Sequence, residues 1–205
     1  MPVFAVHSVL FPGASMGLRV FEERYRALVR DVVPGGTFAI VAIRKGQEVG
    51  GSYEANRVGV TVSVGAHEAR PDGSFELHVT GRDRVGLISR AREDPYPVWH
   101  VEPFPDEGGA GTDDVEVASA ALASYLRVTG ETAAGPASVP HDPVAASYVL
   151  AAAVPGLVHD RQALLEIAGA GERLVAVTAT FRRETALVRA LGAGVGGAGL
   201  DVNPN

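Results

Sequence analysis

Apolar positions change their spacing along the chain, and the change separates a strand-rich first part from a helical second part. Residues 3–6 (VFAV) form a short apolar strand candidate, followed by the turn-forming Phe11-Pro12-Gly13. Over residues 20–33, Phe21, Tyr25, Leu28 and Val32 recur at steps of three or four. Glu22, Glu23, Arg26 and Arg30 fall on the other faces. This spacing predicts a helix, which Pro34-Gly35-Gly36 stops. Residues 38–43 are continuously apolar, as in a strand covered on both faces. Val58, Val60, Val62 and Val64 alternate, and Phe75, Leu77 and Val79 alternate again after Pro71-Asp72-Gly73. Proline presets φ in that turn and glycine can take a positive φ, so a hairpin is predicted. Val85, Leu87 and residues 98–101 add further short strands, whose close spacing suits a small barrel or a strongly curled sheet.

Residues 104–112 (FPDEGGAGT) read as a linker, and beyond them the pattern is helical. A helix is expected over 113–127, then a Gly/Ala/Pro-rich loop over 129–140. Asp142-Pro143 places a capping side chain before proline at a first helical position. Pro155-Gly156 ends that helix, Asp160 is expected to cap a short one, and a final helix is expected over 172–191. Leu174, Val177, Phe181, Val188 and Leu191 share one broad stripe of it. The predicted organisation is α+β: a β-subdomain with one helix (1–105), a linker (106–112), a helical bundle (113–192) and a Gly-rich disordered tail (193–205).

Composition narrows the partners. The chain has 205 residues, 46% hydrophobic and 20% charged, which is enough for a substantial core. A net charge of -6 disfavours nucleic acid, whose backbone is bound by clustered Lys and Arg. Cysteine is absent, which removes thiolate chemistry and Cys-ligated zinc. Residues 144–158 are the most apolar later stretch, but they are short and broken by Pro155-Gly156, so no membrane span is expected. The N-terminus lacks the basic and apolar regions of a secretory signal, and a cytoplasmic location is the expectation.

Several segments, in this order, carry a resemblance: Val9-Leu10-Phe11-Pro12-Gly13, Leu18-Arg19-Val20-Phe21-Glu22 with Arg24-Tyr25, Val58-Gly59-Val60, and Gly81-Arg82-Asp83-Arg84. Glu93-Asp94-Pro95-Tyr96, Tyr148-Val149-Leu150, Gln162-Ala163-Leu164-Leu165-Glu166 and Glu172-Arg173-Leu174 follow. Together they resemble the N-terminal, substrate-binding domain family of Lon proteases over residues 1 to 192, in a stand-alone form. The resemblance implies a PUA-like β-subdomain followed by a helical bundle. It also implies a non-catalytic role in binding protein or peptide clients through their exposed apolar segments, in an apolar groove between barrel and bundle.

Catalytic machinery is not expected. A nucleotide-binding G-x-x-x-x-G-K-[ST] loop needs a lysine, and the single lysine, Lys45, is followed by Gly46-Gln47. The same lysine at the end of a predicted strand leaves no partner for the Ser–Lys peptidase pair that the Lon family uses. The six histidines show no compact metal-ligand spacing, and no cofactor is expected. Among the aromatic residues, Phe21, Tyr25 and Trp99 sit in periodic segments and are expected in the core. Phe11 and Tyr53 lie near turns and, with Pro12, are the expected exposed anchors of a partner surface. Arg82 and Arg84, flanking Asp83, form a compact charged turn. They could anchor a carboxylate on a partner, or pair internally with Glu22 or Glu23. An RNA-binding PUA-like module and a small-molecule binder or hydrolase are the competing functions; they predict, respectively, a contiguous arginine surface and an enclosed pocket.

Overall fold

The computed structural model describes residues 1–33, 35–50, 52–130 and 136–195, without the side chains of 192–195. Strands come first: β1 (Val3–Val6), β2 (Ser15–Val20), helix α1 (Glu23–Val32), β3 (Phe38–Gly46), β4 (Tyr53–Ala69), β5 (Phe75–Arg92) and β6 (Val98–Pro103). Four helices follow: α2 (Thr112–Thr129), α3 (Pro143–Ala152), α4 (Val158–Glu166) and α5 (Ala170–Val195). The fold is α+β, with strands and helices segregated along the chain as their patterns predict.

The sheet runs β1-β3-β4-β5-β2, with β6 also on β5; only the β1–β3 pair is parallel. It stays open but curls until its ends touch. Pro2 bridges Val98, the Val3 N–H donates to the Pro97 carbonyl at 3.0 Å, and the Trp99 N–H donates to the Met1 carbonyl at 2.9 Å. In place of the separate short strands predicted between 58 and 87, two long strands form, β4 with 17 residues and β5 with 18. Register shifts between Val60 and Val62 and between Val64 and His67 let this pair bend. The first part of β5 then pairs with β2 and its later part with β6.

β1 and β3 are buried on both faces, the arrangement that the unbroken apolar run of residues 38–43 predicts. Phe4, Val6, Phe38 and Ile40 face α1, where Tyr25 stacks on Phe4 with ring centroids 4.0 Å apart. Val3, Ala5, Ala39 and Val41 face the other way, toward Tyr53 and Leu87. The Pro71-Asp72-Gly73 turn forms as predicted, with Gly73 at φ 78° and the Asp72 carboxylate accepting the Ser74 N–H at 2.9 Å.

Helix α1 starts later than its pattern suggests, because residues 15–20 are used as β2 on the edge of β5. Phe21 therefore sits at a strand–helix corner and is 52% exposed, not in the core. Trp99 is only partly buried. The helical part has its own core around Leu122, Leu150, Leu165, Leu174, Val177 and Phe181, and that core also takes in Phe11 and Val60 from the strand-rich part.

Asp142 caps α3 by accepting the Ala145 N–H at 2.8 Å, with Pro143 at the first turn. Asp160, expected as a cap, lies inside the first turn of α4, which begins at Val158. α5 continues past Gly192 to Val195, and Leu191 on it is exposed, not packed. Residues 131–135 of the expected loop and 196–205 of the expected tail lie outside the described residues. Within the 104–112 segment, Glu107 bridges Gly169 and its N–H donates to the Ala168 carbonyl at 3.0 Å. Among the described residues, no helix is long and apolar enough to cross a membrane.

Candidate functional site

Where the strands meet the helices, Ala145, Tyr148, Val149 and Ala152 line one face of α3, since helical positions three to four apart fall together, and Ala153 follows just past its end. Pro12 and Gly13 face them from the loop before β2. The space between is a groove made of two continuous parts, of about 860 Å³ and about 270 Å³, which share Pro12, Gly13 and Val149. Val85, Phe104 and Val144 extend the apolar lining of the larger part, and Arg82, Asp83 and Asp142 stand along it.

Beneath the larger part lies a buried polar network. Arg84 on β5 is 4% exposed and Arg173 on α5 is 0% exposed. Both guanidiniums donate to Asp106 Oδ1, at 3.1 Å and 2.7 Å. The Tyr148 hydroxyl donates to the same carboxylate, 2.8 and 2.7 Å from its oxygens. Two cations therefore share one anion. Further donors reach backbone carbonyls at the end of α4, Arg84 to Leu165 and Ile167 at 2.7 and 2.6 Å and Arg173 to Leu164 and Ile167 at 3.3 and 2.8 Å, while Arg173 also donates to Ser147 Oγ at 2.6 Å and Arg84 to the Pro105 carbonyl at 3.1 Å. The last carbonyls of a helix have no partners within it and carry its negative end, so they suit cations well. Arg173 also lies over the Tyr148 ring at 4.0 Å, and Arg84 over Phe104 at 4.7 Å. Burial draws the Arg84 guanidinium below its ordinary value, while Tyr148 and the Asp106 carboxylate act in the opposite direction. It remains the cation that this geometry requires.

Burial also pushes the Tyr148 phenol above the ordinary tyrosine range, and its hydrogen bond to Asp106 adds to the shift. Tyr25, Tyr53 and Tyr96 are raised as well, each mainly by burial. The fold thus holds these protons more tightly than the unfolded chain does. The resulting stability is complete below the unfolded phenol value of about 10 and is lost as pH rises through the folded values. An alkaline titration followed by ultraviolet absorbance and circular dichroism should show most tyrosine ionisation coinciding with unfolding, not preceding it.

The residues singled out from sequence are dispersed. Pro12, Arg82 and Arg84 line the groove. Phe11, expected at the surface, is 0% exposed and lies in the shared core, beneath the Arg161 guanidinium at 5.7 Å. Tyr53, also expected at the surface, is 9% exposed inside the curled sheet, with Arg24 and Arg90 at 5.9 and 5.6 Å from its ring. Arg82 and Arg84 belong to the middle of β5, not to a turn, and neither pairs with Glu22 or Glu23. Those glutamates hold Arg24, Arg26 and Arg30 instead, and Arg82 Nε donates to Ser63 Oγ at 2.9 Å. Sequence reasoning missed Asp106, Tyr148 and Arg173 as one group. One signal was present: Arg173 is in phase with Val177 and Phe181 at steps of four, and a cation on an apolar stripe marks a buried charge that needs partners. Among the described residues, no group of three or more His, Asp or Glu side chains could hold a metal ion.

Comparison with known proteins agrees with this architecture. The family model of the ATP-dependent protease La (LON) substrate-binding domain matches residues 1–182. A Lon N-terminal domain protein from Xanthomonas campestris is 27% identical, with a TM-score of 0.65 over 87% of this chain and 96% of that one. The N-terminal domain of the Lon protease of the Mycobacterium avium complex, 18% identical, shares the fold with a TM-score of 0.65 over 88% of this chain and 97% of that one. With the family matched over most of its length, this chain belongs to the Lon substrate-binding domain family.

Proposed function

We propose that the chain binds exposed apolar segments of protein clients in the groove between the curled sheet and α3, without transforming them, and that it does so in the cytoplasm. The observation that carries this reading is the continuous apolar face of α3 set against Pro12 and Gly13. From Asp142 to Ala153 a helix advances about 16 Å. An extended guest rises about 3.3 Å per residue, so about five residues fit along it. Removing apolar side chains from water supplies the affinity. Arg82 offers a cation at the rim for a carboxylate on the client.

The reading is tested with a reduced, unfolded model protein as probe. Val149→Asp places a charge in the middle of the groove and should weaken binding by about tenfold or more. Val149 is only partly buried, so the melting temperature should change little. Wild-type protein that fails to hold the probe, or a Val149→Asp variant that holds it equally well, overturns the assignment.

A further inference from the structure

The two outer strands of the sheet path, β1 and β2, are finished differently. On β1 the amides at alternate positions are occupied. Val3 N–H donates to the Pro97 carbonyl at 3.0 Å, Ala5 N–H to the Tyr25 hydroxyl at 3.3 Å, and His7 N–H to Glu48 Oε2 at 2.8 Å. On β2 the Gly81 N–H donates to the Ala14 carbonyl at 2.9 Å. Alternation along an antiparallel ladder then gives the β5 bonds to Met16, Leu18 and Val20, and turns the backbone groups of Ser15, Gly17 and Arg19 outward. These groups make no hydrogen bond to other described residues. An unpaired row of strand groups is a template for another strand.

A second groove, of about 490 Å³, runs beside this edge and shares no lining residue with the groove along α3. Every residue from Met16 to Val20 lines it, as expected of a strand edge, whereas a strand face would contribute alternate residues only. Phe21 and Val49, 52% and 53% exposed, provide apolar surface in it. Its charges are unbalanced. Arg19 pairs with Asp72 and Glu22 with Arg24, whereas Glu48 has only the His7 imidazole, 3.6 Å away, and no arginine or lysine ion-pair partner among the described residues.

We propose that β2 takes up an extended segment of a partner polypeptide as an added strand. The guest backbone bonds Ser15, Gly17 and Arg19, its apolar side chains cover Phe21 and Val49, and a lysine or arginine on it meets Glu48. This second site reads backbone, unlike the groove along α3, and stands independently of it.

The probe is a labelled octapeptide with valine at alternate positions and lysine at one end, followed by fluorescence anisotropy with the full chain. Gly17→Pro removes an outward amide that the β5 ladder does not use, and should weaken binding by about tenfold. Gly17→Ala keeps that amide, and its added Cβ meets nothing within 4 Å, so it should bind as the wild type does. The same peptide N-methylated at alternate residues should also lose about tenfold, a readout independent of any folding defect in the proline variant. In a Val149→Asp background, which blocks the groove along α3, the loss caused by Gly17→Pro should be unchanged, which separates the two sites. The proposal is overturned by absence of octapeptide binding, by equal binding of the methylated peptide, or by a dimer of the chain alone that already protects the Gly17 amide from exchange.

Discussion

Replacing Asp106 with alanine is expected to destabilise the protein by about 3–5 kcal/mol, measured by urea unfolding, because it leaves buried guanidiniums without their counter-charge. The carboxylate takes bonds from Arg84, Arg173 and Tyr148. Without it, the α4 carbonyls are the principal acceptors left to the two cations, and the phenol loses its acceptor. Asp106→Asn keeps the volume and one acceptor oxygen but not the charge, so it should fall between wild type and alanine. Pairing Asp106→Ala with Arg173→Met should cost less than the sum of the two single changes, since each mutation removes part of what the other needs. Strict additivity would show that the three side chains do not act as a unit.

Phe11→Ala is expected to cost about 3–5 kcal/mol as well, through the cavity it opens. Phe11 has no exposed surface and belongs to the core that joins sheet and helices. A Cβ at Gly81 would lie 2.4 Å from the Phe11 carbonyl oxygen, so the two backbones are in close contact and cannot easily settle into the space. Phe11→Leu, which keeps most of the volume, should lose much less. A surface role for this ring predicts the opposite: a stable alanine variant with weakened client binding. Equilibrium unfolding of the variant distinguishes the two.

That contrast shows what could be read from the chain in advance. Periodicity located α1 to α5 and most of the sheet, because burial on one face leaves a pattern that local residues carry. It also placed the hairpin at Pro71-Asp72-Gly73, since turn chemistry is local too. The exposure of Phe11, Tyr53 and Phe21 was misjudged because it depends on what lies opposite. Phe11 follows Val9 and Leu10 into a turn, yet the turn is covered by the helical part. Tyr53 closes the inside of the curled sheet, which becomes an inside only once β6 returns to Met1 and Pro2. β2 was overlooked because Ser15, Gly17 and Arg19 make a weak strand pattern, and its pairing with β5 supplies the rest. The Arg84–Asp106–Arg173 group joins residues from three distant stretches, and no local spacing encodes it. Pro12, Arg82 and Arg84, named from the sequence, line the groove along α3, but the α3 residues facing them are not marked by any local spacing.

Arg84 and Arg173 fasten the tip of α4, the 105–106 stretch and strand β5 to one another by charged bonds from buried guanidiniums. Swinging the helices away from the strands would strip those bonds all at once. The walls of the cleft above them thus behave as a fixed mould and not as jaws, and discrimination among visitors falls on their outline and on how cheaply they straighten before they arrive.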